Sequence, residues 1–237
     1  EYKKNRAVFR DIIKTDLKAE RALKRYFKKI SENIWLKVDW LEYNQKLIKA
    51  ALVPSVGSGE WGGEVIELEI ILTEILGDVF EHGGVAAELD TGASVGFTQN
   101  EPFAIKHLRK YTLKLSKDIT ETTAEAAKQS LLKSIQLGFS QSEAVEALSE
   151  VINNSKRAAM IARTETIRAY SQGKIAYAVE AGASSNTWRD GQPGACPVCQ
   201  GNDGMTIKID ELFDGIGGQV DAPPAHPNCR CLLKINL

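Results

Sequence analysis

All four cysteines of this 237-residue chain lie near its C-terminal end, in one pattern: Cys196-Pro-Val-Cys199, then His226-Pro-Asn-Cys229-Arg-Cys231. Two tight clusters of sulfur and imidazole donors, separated by a longer loop, are what a tetrahedral zinc site requires. Each turn aims two side chains at one ion, and the loop brings the turns together. Five donors exceed four positions. Cys196 and Cys199 form one pair, and His226 with Cys229 forms a matching one. An extended stretch would put Cys231 on the same face as Cys229, so Cys231 could replace Cys229 or His226, and that half of the shell stays open. A shell filled by Cys and His leaves no position for water, which points to one structural ion and to no catalytic residue. Cysteines two and three residues apart suit thiolates on a metal in a reducing compartment better than disulfides tying distant segments together.

Other chemistry is constrained by what is missing. An HNH-type nuclease would need several histidines for a base and a catalytic ion, and this chain has only three in all. Arg163 and Glu165, in the run Ala162-Arg-Thr-Glu165-Thr, are two apart and so do not face each other on a helix. Each is placed to anchor a different neighbouring element, the alternative being ordinary solvated charges. An ADP-ribosyltransferase also uses an Arg and a Glu, but its accompanying Ser-Thr-Ser and Glu-x-Glu patterns are absent. There is no phosphate-binding glycine loop, no signal-peptide pattern and no uncharged stretch long enough for a membrane span.

The elements that must position these residues follow from periodicity. A net charge of -1 conceals segregation: residues 1–50 carry 14 Lys/Arg against 7 Asp/Glu, whereas residues 51–105 carry 10 acidic residues and no Lys or Arg. Such asymmetry points to interaction surfaces and marks boundaries near 50 and 105. It gives a basic helical region (1–50), an acidic helical region with loops (51–105) and a remainder (106–237) whose last part, about 183–237, is the metal-bearing β region. Phe9, Ile12, Leu23, Tyr26, Phe27 and Ile30 recur at helical spacing over residues 6–30, with Lys14, Lys18, Arg21, Arg25 and Lys28 on the other side. That basic face suits phosphate on DNA or on a membrane surface, or simply faces solvent.

A second helix is expected over 32–50 and a linker at 57–63. An acidic amphipathic helix over 64–81 should end at Gly83-Gly84. Further helices are expected from about residue 101 through Lys117, from Thr120 to a left-handed cap at Gly138, and from a capping box at Ser140-Gln-Ser-Glu143 to about Ile152. Ser155 to Gly182 reads as a buried, alanine-rich helix. Short strands are expected at Ser185–Arg189, Thr206–Ile209 and Cys231–Ile235, in a segment with little core of its own. The fold class is α+β, predominantly α-helical with a small zinc-stapled C-terminal β region.

The order Ala162-Arg-Thr-Glu165, then Trp188 and Asp190, then Cys196-x-x-Cys199, then Pro223-Pro-Ala-His226-Pro-Asn-Cys229-Arg-Cys231 resembles the Mu-F-type minor head proteins. These are the phage head morphogenesis proteins of tailed bacteriophages. The resemblance covers about residues 110–237, with Thr120-Glu-Thr-Thr and Gly138-Phe-Ser included, and leaves the first hundred residues unmatched. It implies a structural virion protein rather than an enzyme. Such a protein sits inside the capsid near the portal vertex, is assembled in the host cytoplasm, and acts in head morphogenesis or genome delivery. The implied partners are the portal protein, with scaffold or major capsid protein and packaged DNA as further candidates. Some members carry toxin or enzyme domains beyond this module; with six residues after Cys231, none is expected here.

Overall fold

The computed structural model describes residues 2–49, 61–98, 100, 102–190 and 194–237, without the side chains of residues 2–9, 46–49, 103 and 107. The linker expected at 57–63 falls largely outside them, as does the side chain of Phe9. Helices dominate: α1 (Tyr2–Asn33), a 3-10 turn (Ile34–Lys37), α2 (Trp40–Lys49), α3 (Gly62–Thr91), α4 (Pro102–Gln136), α5 (Gln141–Ile152) and α6 (Ser155–Glu180). After α6 come β1 (Ser185–Arg189), the short α7 (Pro197–Asn202), β2 (Thr206–Lys208), β3 (Phe213–Gly215), β4 (Gly218–Val220) and β5 (Leu232–Asn236). Among the described residues no helix is long and apolar enough to cross a membrane.

Two compact units are built from interleaved stretches of chain. The second comprises Arg21–Ile71 and Tyr111–Ala158. Its core takes Leu23, Tyr26, Phe27 and Ile30 from the predicted apolar stripe of α1, with Leu68, Leu131, Leu148 and Ile152. Part of the charge segregation is consumed here. Lys29 contacts Glu67 at 2.7 Å and Lys37 contacts Glu64 at 2.8 Å, so basic and acidic segments pair inside one unit. Gly138 has φ 71°, and the amides of Gly138 and Phe139 donate to the carbonyls of Ile135 and Ser134, which closes α4 as a left-handed cap. The Ser140/Glu143 capping box opens α5 as expected.

One expected break is absent. Residues 117–120 do not separate two helices; α4 runs through them. Threonine hydroxyls just beyond this point bond inside the helix, Thr122 to the Asp118 carbonyl and Thr123 to that of Ile119. Arg157 then clamps the same turn, donating to the hydroxyls of Thr123 (2.9 Å) and Thr122 (2.8 Å) while lying over the Phe27 ring.

The first unit comprises Glu1–Glu20, Leu72–Lys110 and Ala159–Leu237. Here too a predicted stop fails: α3 continues through Gly83-Gly84 to Thr91. These glycines mark a crossing rather than an end. A Cβ at Gly83 would overlap the Tyr170 carbonyl oxygen, one at Gly173 would overlap that of Phe80, and one at Gly84 would enter the Phe97 ring. Backbone therefore meets backbone between α3 and α6, and Ala162, Ala169, Ala176 and Ala178 are buried along the same helix. Beside this crossing the buried Lys174 ammonium reaches the Asp90 carboxylate at 2.5 Å, and that carboxylate also accepts from the amide of Ile235. The Tyr177 hydroxyl ties down the chain after α3 by donating to the Ala93 carbonyl at 2.6 Å.

The C-terminal segment forms an antiparallel three-stranded sheet of order β2-β1-β5, with Trp188 opposite Leu233, and a separate β3-β4 hairpin. The three predicted strands are present to within a residue or two, whereas the hairpin and α7 were not foreseen. The segment also has more core than its sequence suggests. Trp188 and Phe213 are fully buried with ring centroids 5.0 Å apart, and Leu233 and Ile235 of β5 are buried as well.

The glycine crossing gives a direct test. Gly173→Ala should cost about 3 kcal/mol, because a methyl group has no room between the two backbones. Gly62→Ala, with open space around it, should be neutral or stabilise by about 0.5 kcal/mol. Urea unfolding of both variants checks this, and equal stabilities would contradict the crossing.

Candidate metal centre

Local backbone geometry aims the donors. Cys196 caps the N-terminus of α7 in extended conformation, Pro197 occupies the first helical turn, and the Gln200 amide returns to the Cys196 carbonyl at 2.9 Å. One turn of helix therefore places Cys199 beside Cys196. From the other side, the irregular stretch His226–Cys231 enters before β5. It brings the Cys229 and Cys231 sulfurs to Cys199, while the Arg230 guanidinium between them pairs with Asp16.

The result is two overlapping triads. The ligand atoms of Cys196, Cys199 and His226 lie within 4.8 Å of one another, as do those of Cys199, Cys229 and Cys231. The Cys199 sulfur is 3.3 Å from Nε2 of His226 and 3.7 Å from the Cys229 sulfur. All four cysteines are free thiols, three of them buried. The Pro227 carbonyl, 2.8 Å from Nδ1 of His226, can only accept. Nδ1 therefore carries the proton and the Nε2 lone pair faces the sulfurs, the tautomer that metal ligation needs.

Electrostatics favour a cation among these groups. The Cys199 amide stabilises the Cys196 thiolate and lowers its pKa. The Cys231 thiol, followed by the amides of Cys231 and Ala225, holds Cys229 down at about 5 against the opposing effect of burial. Burial pushes Cys199 up to about 12, and Cys231 is raised by its hydrogen bond to Cys229 and by burial. Burial works against protonating His226, but the Pro227 carbonyl and the nearby Cys229 and Cys196 sulfurs outweigh it. Like charges so close cannot all ionise alone; a divalent ion removes that conflict and deprotonates its thiol ligands. The donor set therefore fits a metal, and either triad could hold one.

The motif residues support this centre by different means. Arg163 in α6 donates to the Asn228 side chain at 3.2 Å, and the hydroxyl of Thr164 accepts from the Asn228 amide at 3.0 Å. Asn228 has φ 63°, a left-handed turn that presents Cys229. Glu165 is buried and accepts from Arg168 within its own helix at 3.0 Å. Trp188 is core. Asp190 contributes backbone: its amide donates to Asp203 and its carbonyl lies 3.8 Å from the Cys231 sulfur.

Sequence reasoning missed Thr164, Asn228, Asp203 and the buried Asp16–Arg230 ion pair at 2.5 Å. Asn228, next to Pro227 and one before a ligand, carried a signal, since Asn favours left-handed turns. Asp16 carried none, because its partner is more than two hundred residues away.

Two sets of variants probe the centre. Cys199→Ser should abolish metal binding, because Cys199 belongs to both triads. Among the other donors, one substitution from His226, Cys229 and Cys231 should leave metal content intact if four positions are filled. Elemental analysis of the purified variants decides this, and full occupancy in Cys199→Ser would refute the site. Thr164→Val should weaken metal affinity about tenfold by loosening Asn228, measured by competition with a chromophoric chelator.

The model of the family described as Phage Mu protein F like protein matches residues 125–234. No curated protein and no solved structure matches the chain. The matched stretch contains all five donors together with Arg163, Thr164 and Asn228, and excludes α1, α2 and α3. Over residues 125–234, a little under half of its length, the chain is similar to the Phage Mu protein F like family, the resemblance that the order of its motifs predicts.

Proposed function

We propose that this protein is a structural minor head protein of a tailed bacteriophage, one that joins the portal and procapsid during head morphogenesis and carries one structural zinc. The observation that carries the phage-head assignment is the family match over the segment that holds the whole Cys/His cluster. Zinc is the ion that tetrahedral Cys/His donor sets ordinarily select. Four such donors fill its shell and leave no site for an attacking water, which supports an architectural role over a catalytic one. When bound, the ion supplies cross-linking: it fastens α7 to the stretch before β5. Residence inside the capsid near the portal vertex, and a part in genome delivery, belong to the same proposal.

Packaged DNA is a second partner that one observation favours. Lys14 and Lys18 in the first unit, and Arg21, Arg25 and Lys28 in the second, are exposed on α1. Among the described residues, weak surface pairs, Lys14–Asp11 at 3.5 Å and Lys28–Glu32 at 3.8 Å, offset two of them.

Co-expression with the portal protein of the same phage, followed by purification through the portal, tests the main proposal. Co-purification and incorporation into procapsids are the expected results. Failure to associate with portal, procapsid or virion would overturn it. For DNA, affinity should fall steeply with salt, and replacing Arg21, Arg25 and Lys28 with Gln should flatten that dependence by up to about three phosphate contacts.

A further inference from the structure

Arg230 lies between Cys229 and Cys231, beside the sulfurs, and its side chain is engaged by an ion pair with α1. Its guanidinium meets the Asp16 carboxylate of α1 at 2.5 Å, with side chains only 19% and 10% exposed. Thr166 and Arg163 of α6 lie near the same carboxylate. On α1, Ile12 and Ala19 are buried on either side of Asp16. The first part of α1 thus brings an acid into the interior of its unit, and the compensating charge comes from inside the metal-binding sequence. A buried carboxylate that loses its partner is strongly destabilising.

We propose that the Asp16–Arg230 pair latches the first part of α1 to the metal centre, so that metal binding and the seating of residues 10–20 stabilise each other. An ion held by Cys229, Cys231 or both restrains the backbone that carries Arg230, and with it the direction of Arg230. Asp16 can then be buried with its charge matched. Without the ion the stretch is free to turn, Arg230 leaves its position, and the helix can stay seated only over an unmatched acid. Coupling of this kind is reciprocal: an unseated α1 must also weaken the metal site. Asp16 and Arg230 are positioning residues here, not ligands. The latch depends on the centre being occupied and not on any role in head assembly.

The experiment uses full-length protein whose metal content has first been measured, so that an empty centre is recognised before the latch is tested. Hydrogen exchange is followed over residues 10–20 before and after removal of the ion with a chelator. Exchange there should speed up at least tenfold on chelation; if the segment 196–231 opens while 10–20 keeps its protection, the latch is wrong. Asp16→Asn should release zinc to a chromophoric chelator about tenfold faster than the unmodified protein, in the range usual for loss of a residue that supports a ligand. Lys174→Met, which breaks the other buried ion pair of this unit, should lower the unfolding midpoint and leave that release rate unchanged. Equal release rates for Asp16→Asn and the unmodified protein would overturn the proposal. If Asp16→Asn does not fold, the chelation arm on the unmodified chain decides alone.

Discussion

The sulfur of Cys199 is the point on which the C-terminal module turns. It belongs to both triads, and it is buried where the first turn of α7 meets the stretch before β5. Thiols packed this closely cannot all carry charge, and two of them resist ionisation outright. A cation is the simplest agent that lets such a cluster close, so its burial is at once a cost and a device: unfavourable alone, it becomes favourable when an ion joins the segments. The surrounding structure is arranged accordingly. The α6 residues Arg163 and Thr164 hold Asn228, Asn228 turns the chain, and the turn presents Cys229 to Cys199.

Packing also holds the module together, beside the proposed ion. Trp188 against Phe213 gives it a small packed centre, and the glycine crossing of α3 and α6 gives its unit a close-packed base. The buried pair of Lys174 and Asp90 links α6 to α3, and the same carboxylate receives the Ile235 amide of β5. Each link joins stretches distant in sequence. The family match over residues 125–234 accordingly covers the five candidate donors but not Asp16 or Asp90, which support their segment from outside it.

Local features were legible in the sequence wherever one local rule governed them. The capping box at Ser140, the left-handed cap at Gly138, the apolar stripe of α1 and the strand at Ser185–Arg189 all follow from short-range chemistry, and all are present. The ligand clusters were legible because their types and spacing are unusual. Tertiary contacts decided the rest. Gly83-Gly84 looked like a helix stop, but the absent side chains serve a crossing that only the partner helix reveals. The sequence suggests a break between Lys117 and Thr120, yet α4 is continuous there, and the Thr122 and Thr123 hydroxyls bond within the helix and to Arg157. The acidic and basic segments looked like separate interaction surfaces, and part of each is consumed in pairing Lys29 with Glu67 and Lys37 with Glu64. No local signal could have joined Asp16 to Arg230.

The central claim is that sulfur-rich zinc ligation closes this module. Zinc K-edge absorption spectroscopy of the purified protein tests it most directly. The account predicts a four-coordinate ion with at least two sulfur neighbours at about 2.3 Å and any remaining position filled by imidazole nitrogen at about 2.0 Å. A shell of oxygen and nitrogen alone, or a folded protein that carries no zinc, would contradict it.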